Sequence, residues 1–257
     1  MAKALAEMED AVYWQGLLAK MDPLAVSGDD GALLVSPDEA LEESHRHFSH
    51  LMSIYPLGIL DIEGTERERR IIDASLEQMD ALGTKYWCGY SFSWMACMRA
   101  RVGQADKALQ NLTDYLDCTT RNGFHVNGPQ TREELSSYKM RAFTLEGNFA
   151  ASQAVHEMIL QSWGGKIRIF PSVPWNWNDV SFKHLRVEGG FIVDAIMEDG
   201  KTIKVNIEAT TDQILRLKYP FGKEDYESNI PLERISSGEL QCQMKKDQII
   251  RLNIKGK

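Results

Sequence analysis

Thr144-Leu145-Glu146-Gly147-Asn148-Phe149 sets a carboxylate, a glycine and an amide just before a helical pattern, which runs out at Ser162-Trp163-Gly164-Gly165. Val155, Met158, Ile159 and Leu160 supply its apolar periodicity. Ala150, Ala151, Gln153, Ala154, Glu157 and Met158 are fair to good helix formers. Gly164 and Gly165 are where a left-handed C-cap and a chain reversal fall. Beyond them Lys166-Ile167-Arg168-Ile169-Phe170 alternates with period two, as a strand does. The stretch therefore divides the chain near residue 164, with helices before it and strands after it.

Upstream, residues 3–21 place Leu5, Met8, Val12 and Leu18 among Ala, Glu and Lys, an amphipathic helix stopped by Pro23. After a Gly- and Asp-rich loop, Ser44 is placed to cap His45-Arg46-His47-Phe48-Ser49-His50-Leu51-Met52-Ser53-Ile54-Tyr55, a segment that ends at Pro56. Thr65-Glu66-Arg67-Glu68 is a capping box. It opens a helix with Ile71, Ile72, Leu76 and Met79 on one side, closed near Gly83. Residues 91–102 form an apolar-rich helix ended by Gly103, and Ala105 to Cys118 form its partner, with Leu109, Leu112 and Leu116. Thr131-Arg132-Glu133-Glu134 offers a second capping box for a short helix. Helix, short loop, helix is an array of antiparallel hairpins rather than a βαβ alternation.

Downstream, Phe191-Ile192-Val193, Thr202-Ile203-Lys204-Val205-Asn206-Ile207, Ile214-Leu215-Arg216-Leu217 and Gln248-Ile249-Ile250-Arg251-Leu252-Asn253-Ile254 also alternate. Asp199-Gly200 is the clearest hairpin turn among them. The pattern predicts an antiparallel sheet or sandwich.

A net charge of −8 argues against a nucleic-acid surface, which needs clustered Lys and Arg. No apolar run is long enough to span a bilayer, and the acidic first ten residues do not read as a signal peptide. Cys88, Cys97, Cys118 and Cys242 form no CxxC pair and read as free, buried thiols.

Several blocks, in order, resemble glycoside hydrolase family 95, the inverting α-L-fucosidases and related α-L-galactosidases. His45-Arg46-His47-Phe48-Ser49-His50-Leu51 is similar to the family's HRHxSHL block. Cys88-Gly89-Tyr90-Ser91-Phe92-Ser93-Trp94 with Arg99-Ala100-Arg101-Val102-Gly103 resembles its GWSxxW and AR-L-G blocks. Glu146-Gly147-Asn148-Phe149 with Glu157-Met158 and Leu160-Gln161-Ser162 resembles DGNFG and EMLLQS. Phe170-Pro171-Ser172-Val173-Pro174 and Leu185-Arg186-Val187-Glu188-Gly189-Gly190-Phe191 resemble LPALP and LRARGGF. Five blocks in order over roughly residues 40–205 make a specific match.

The resemblance implies a mainly α plus β chain. Residues 1–164 would be the second half of an (α/α)6 toroid of helical hairpins, and residues 165–257 a C-terminal antiparallel β-sandwich domain. The family's general acid and its two catalytic asparagines would lie upstream of the HRHxSHL block, outside this chain. The implied partners are an oligosaccharide or glycan substrate and either the missing N-terminal half or a second copy. No cofactor, metal, nucleic acid or membrane is implied. Full-length family members are often exported, and the chain itself does not indicate a compartment.

Glycoside hydrolysis needs two carboxyl functions flanking the scissile bond. By resemblance Glu146 stands at the family's catalytic aspartate, which polarises an asparagine that holds the attacking water. The extra methylene of Glu moves the carboxylate by about one bond length, and catalysis is sensitive to displacements of about 1 Å. On the residues alone, Glu146 is a carboxylate favoured by a helix N-terminus. Asn148 is a substrate contact by resemblance and a turn or capping residue by chemistry. The resemblance implies that His45 or His47 bonds a sugar hydroxyl while His50 is buried. On a helix His47 and His50 would share a face, but neither a nearby Cys nor an HExxH motif supports a metal. Trp87 is the expected ring of the pocket, and Trp94 and Phe149 are expected in the core. Trp163, Trp175 and Trp177 are expected to glue the two parts together.

Overall fold

The computed structural model describes residues 8–139, 142–236 and 238–256. Helix α1 spans Met8–Leu18, and Leu5 of the expected helix lies outside the described residues. Only Ala11 of α1 is buried, while Met8, Val12, Trp14 and Leu18 stand in water. The helix is therefore present, but most of its apolar side chains are left uncovered by the described residues.

The segment after Ser44 departs from expectation. Only Ser49–Ser53 winds, as a 3-10 turn, and the Ser44 hydroxyl instead accepts the Tyr86 N–H at 3.0 Å. Phe48, Leu51 and Ile54 are all fully buried. Their spacing of three matches the three-residue turn of a 3-10 helix and not the 3.6 of an α-helix. His47 precedes the turn and shares no helical face with His50.

Helix α2, Glu66–Leu82, carries the capping box read from the sequence. The Glu68 N–H donates to Thr65 Oγ1 at 3.2 Å and the Thr65 N–H donates to Glu68 Oε2 at 2.7 Å. Its four expected apolar residues are buried, and Gly83 closes it at φ 70°. Helices α3, Gly89–Arg101, and α4, Ala105–Asp117, form a hairpin around Gly103 at φ 78°. Leu116, expected on the apolar face of α4, is exposed. The second capping box does not form: Thr131 bonds Asp117 through its hydroxyl, leaving only a 3-10 turn at Glu133–Leu135.

Helix α5, Glu146–Ile159, packs against α3 and α4. It stops before the glycines because the Gln161 amide donates to the carbonyls of Glu157 and Ala100, at 2.9 and 3.1 Å, and closes the helix end. The chain then pairs β1, Leu160–Gln161, with β2, Arg168–Ile169. Gly164 and Gly165, at φ 68° and 73°, make the reversal of this hairpin and not the helix cap.

The remaining strands are β3 Val180–Val187, β4 Phe191–Glu198, β5 Lys201–Ala209, β6 Gln213–Lys218, β7 Tyr226–Ser228, β8 Glu233–Ser236, β9 Glu239–Met244 and β10 Ile249–Ile254. They form two antiparallel sheets, in the orders β3-β4-β5-β10-β7 and β6-β9-β8. Val193, Val205, Ile207 and Leu252 of one meet Leu215, Leu217, Leu240 and Met244 of the other in a single core. Asp199 and Gly200, at φ 50° and 70°, turn β4 into β5 as expected of a two-residue hairpin.

Alternating charges and a ring join helices to strands. Arg101 and Glu157, each 7% exposed in its side chain, pair at 2.9 Å. The Arg101 guanidinium also lies 4.8 Å from the Tyr55 ring and 4.9 Å from Trp163. Arg168 covers Trp163 at 4.0 Å and bonds Glu63, which also takes Lys166 and Lys218. Trp177 packs on the α3–α4–α5 cluster. Trp175, expected to share this gluing role, is instead 83% exposed.

Candidate functional site

A cavity of about 590 Å³ opens between the 3-10 turn, α3 and α5. Tyr90 and Trp94, one turn apart on α3, form an aromatic wall with ring centroids 5.7 Å apart. Glu146, Phe149 and Gln153 face them from α5, and Met52 and Tyr55 come from the turn. Glu146 is exposed at the first position of its helix, and its carboxylate makes no hydrogen bond or ion pair among the described residues. Burial raises the Tyr90 phenol, with Cys97 and Glu146 adding to the shift. Burial, reinforced by Cys97, carries Tyr55 far above the usual range. The Tyr55 hydroxyl is hydrogen-bonded to Cys97, which leaves that of Tyr90 as the donor on the wall.

Beneath the start of α5 lies a residue that the sequence did not single out. His125 is fully buried between Gly89, first in α3, and Gly147, second in α5. A Cβ at Gly89 would come within 2.3 Å of the ring, and one at Gly147 within 2.6 Å. Thr144 Oγ1 meets His125 Nδ1 at 2.6 Å, while Nε2 is buried without a hydrogen-bond partner among the described residues. Burial lowers the pKa of His125, against an opposing pull from Glu146. Asn148 completes the clasp: its Oδ1 accepts the His125 N–H at 2.8 Å and its amide donates to the Gly123 carbonyl at 2.7 Å. The backbone that carries Glu146 is thus fixed on both sides. Glycine in the first turn of both helices, where propensity disfavours it, was the available sequence signal.

A second depression, of about 700 Å³, is lined by His45, His47 and His50 with Glu39, Glu42 and Glu43. The His47 N–H donates to His45 Nδ1 at 3.1 Å, and the rings lie 5.5 Å apart. Burial, then Arg46 and His45, lower His47. Burial pushes His50 down to about 4, and its Nε2 lacks a hydrogen-bond partner among the described residues. Among the described residues no group of three His, Cys, Asp or Glu is placed to hold a metal ion.

Residues 2–159 match the sequence model of the glycosyl hydrolase family 95 catalytic domain, and residues 161–254 match that of the glycoside hydrolase family 95 C-terminal domain. The chain belongs to glycoside hydrolase family 95. It is 25% identical over 192 residues to alpha-L-fucosidase 2 of Arabidopsis thaliana, a match that covers 74% of this chain and 22% of that protein. The family 95 chain thus spans about a fifth of the length of the curated relative it matches. Among solved structures, a family 39 glycoside hydrolase from Bacteroides cellulosilyticus WH2 aligns at TM-score 0.24 and 15% identity, covering 66% of this chain and 32% of that one. A family 127 β-arabinofuranosidase aligns at TM-score 0.23 and 9% identity, covering 68% and 33%.

The structure divides the residues expected at the site of this family 95 chain. His45 and His47 share one depression, Glu146 lies in the other, and the 3-10 turn separates them, with Ser49 and His50 lining one and Met52 the other. Trp87 is 3% exposed and packs against Phe48 and Phe92, with centroids 5.0 and 5.1 Å away. Trp94 stands on the pocket wall, so the two tryptophans exchange their expected places. Trp87 precedes α3 and falls on the side of Phe48, whereas Trp94 falls one turn from Tyr90 on the open face. Phe149, expected in the core, is exposed at the pocket rim. Both hydrogen-bonding ends of Asn148 are committed to the clasp.

Proposed function

We propose that this chain supplies part of the catalytic unit of a glycoside hydrolase that acts with inversion on α-L-fucosides or related α-L-glycosides. The observation that carries the reading is an unpaired Glu146 facing the Tyr90–Trp94 wall, in a chain of family 95. Residues 1–164 are read as the second half of an (α/α)6 toroid and residues 165–257 as its C-terminal β-domain. Aromatic faces suit the apolar faces of a sugar ring, and Tyr90 supplies a donor for its hydroxyls. Glu146 is assigned the orienting role, polarising the amide that holds the attacking water. Its backbone is fixed through Gly147 and Asn148 against His125, and that rigidity is what placement within about 1 Å requires.

An inverting mechanism needs a second carboxyl group about 6.5–9.5 Å from the first. Glu146 is the only carboxylate on this pocket among the described residues, so the general acid is assigned to catalytic-domain sequence outside this chain. His45 and His47 are assigned sugar contacts in the adjoining depression. Trp87 and Asn148 act through the walls they hold. The bare apolar residues of α1 fit packing against that same missing portion, or against a second copy.

Assays with aryl α-L-fucosides and α-L-galactosides decide the matter, run on the chain alone and on a chain completed with family 95 catalytic-domain sequence. The chain alone is expected to be inactive. The completed enzyme is expected to turn over and to lose about 10²-fold or more with Glu146→Ala. A completed chain that binds sugar without turnover, with an affinity that Glu146→Ala leaves little changed, would favour a second reading, a non-catalytic carbohydrate-binding module on the same scaffold. The Glu at the family's aspartate position is the observation behind that alternative.

A further inference from the structure

We propose that the Trp-Asn-Trp-Asn-Asp segment at residues 175–179 is a second glycan-binding site, separate from the Glu146 pocket. Trp175 is the most exposed large apolar side chain among the described residues, at 83%. Beside it in the chain, Asn176, Trp177, Asn178, Asp179 and Ser181 line a shallow cavity of about 580 Å³.

The segment is held at both ends. The Trp177 N–H donates to the Pro174 carbonyl at 3.0 Å, which puts Trp175 and Asn176 at the tip of a four-residue turn. Trp177 packs on the helical cluster of Ala96, Ala108, Leu112 and Met158. The Gly200 N–H donates to the Asn178 carbonyl at 2.9 Å, and the Asp199 N–H to Asp179 Oδ1 at 3.1 Å. The loop is thus fastened to the helices on one side and to the β4–β5 hairpin on the other. A site already ordered loses little entropy on binding.

The chemistry of the lining selects the ligand. The side-chain amides of Asn176 and Asn178, the Trp177 indole N–H and the Ser181 hydroxyl make no hydrogen bond within the protein among the described residues. Each amide offers two donors and an acceptor. Amides, a hydroxyl and the Trp177 indole in the lining, with the bare Trp175 next in the chain, suit a ring that has one apolar face and a rim of hydroxyls, which is a sugar. Among the described residues the lining holds no Lys or Arg, and its one charge is the carboxylate of Asp179, so an anionic ligand is disfavoured. The shallow form suits a stretch of an oligosaccharide lying across the surface. The proposal stands whether or not Glu146 takes part in hydrolysis.

The test is calorimetric titration of the chain with L-fucose, 2′-fucosyllactose and cellotetraose, using the wild type, Trp175→Ala, Asn178→Ala and Ile235→Ala. Circular dichroism serves as the check on folding. At least one oligosaccharide is expected to bind with a Kd in the millimolar range. Trp175→Ala is expected to weaken it about tenfold and Asn178→Ala several-fold, while Ile235→Ala, at an exposed position on β8, leaves it within about twofold. Three results would overturn the proposal. One is no saturable binding of any probe by the wild type, as expected if Trp175 serves a protein contact. Another is equal affinity in Trp175→Ala. The third is affinity weakened as much by Ile235→Ala as by Trp175→Ala.

Discussion

The backbone of Gly147 lies on the face of the His125 imidazole so closely that a Cβ there would fall 2.6 Å from the ring. Replacing Gly with Ala inside a helix ordinarily gains about 1 kcal/mol. Here overpacking costs about 1–3 kcal/mol, because His125 is held by Thr144 and Asn148 and has no space to yield. Gly147→Ala is therefore expected to destabilise the chain in urea unfolding, and Gly89→Ala by more. A stabilised Gly147→Ala would show that the ring is not clamped.

The Arg101–Glu157 pair gives a larger effect. Both side chains are nearly inaccessible, and Arg101 Nη1 already lacks a hydrogen-bond partner among the described residues. Glu157→Gln leaves the guanidinium charge buried without its counter-charge, at a cost of about 3–5 kcal/mol. Replacing both, as Arg101→Met with Glu157→Met, is expected to recover most of that loss. Urea midpoints for the two variants check it, and equal losses would contradict the account.

Acid is expected to weaken the fold before any carboxylate near its usual pKa is protonated. His50 is pushed from 6.5 down to about 4 by burial, and His125 is lowered by burial. The unfolded chain then binds more protons than the native one as pH falls below about 6.5, so stability drops through that window and levels below about 4 for His50. Further down Glu63 adds to the loss. Burial opposes its charge, but the hydrogen bonds from Arg168, Lys218 and Lys166 hold its carboxyl well below the usual range. Its contribution is present above about 4.5 and is lost on acidification. Thermal midpoints at pH 7, 5.5 and 4.5 should fall in that order, and His50→Gln should flatten the first part of the slope.

The thiols should differ in reactivity. Burial pushes Cys97 and Cys118 up to about 12, and the thiolate is the reactive form. Cys88, Cys97 and Cys118 are buried, whereas Cys242 is half-exposed. A maleimide at pH 7.5 is expected to label Cys242 first in the native protein and the other three only on unfolding, as mass spectrometry of timed samples would show.

What could be read in the sequence was local. Thr65 and Glu68 satisfy each other within one turn, and Asp199-Gly200 has the backbone freedom its hairpin needs, so both appear as read. The alternating strands carry their own burial pattern. The His45 block misled because Phe48, Leu51 and Ile54 fit an α-helical stripe almost as well as a three-residue turn, and the deciding contacts with Trp87 and Trp94 lie some forty residues away. Trp87 and Trp94 are seven residues apart, and nothing in that spacing says which one meets the core. His125 was invisible for the same reason: its surroundings are two glycines contributed by two different helices.

The chain of contacts from Glu157 through Arg101, Trp163 and Arg168 to Glu63 alternates charge, ring and charge across the meeting of helices and strands. Each member shields the next from water, so removing one rehydrates its neighbours as well. Helices and sheets should then melt in a single cooperative transition. A cut in the reversal at Gly164-Gly165 would leave two pieces still held together until denaturant separates them.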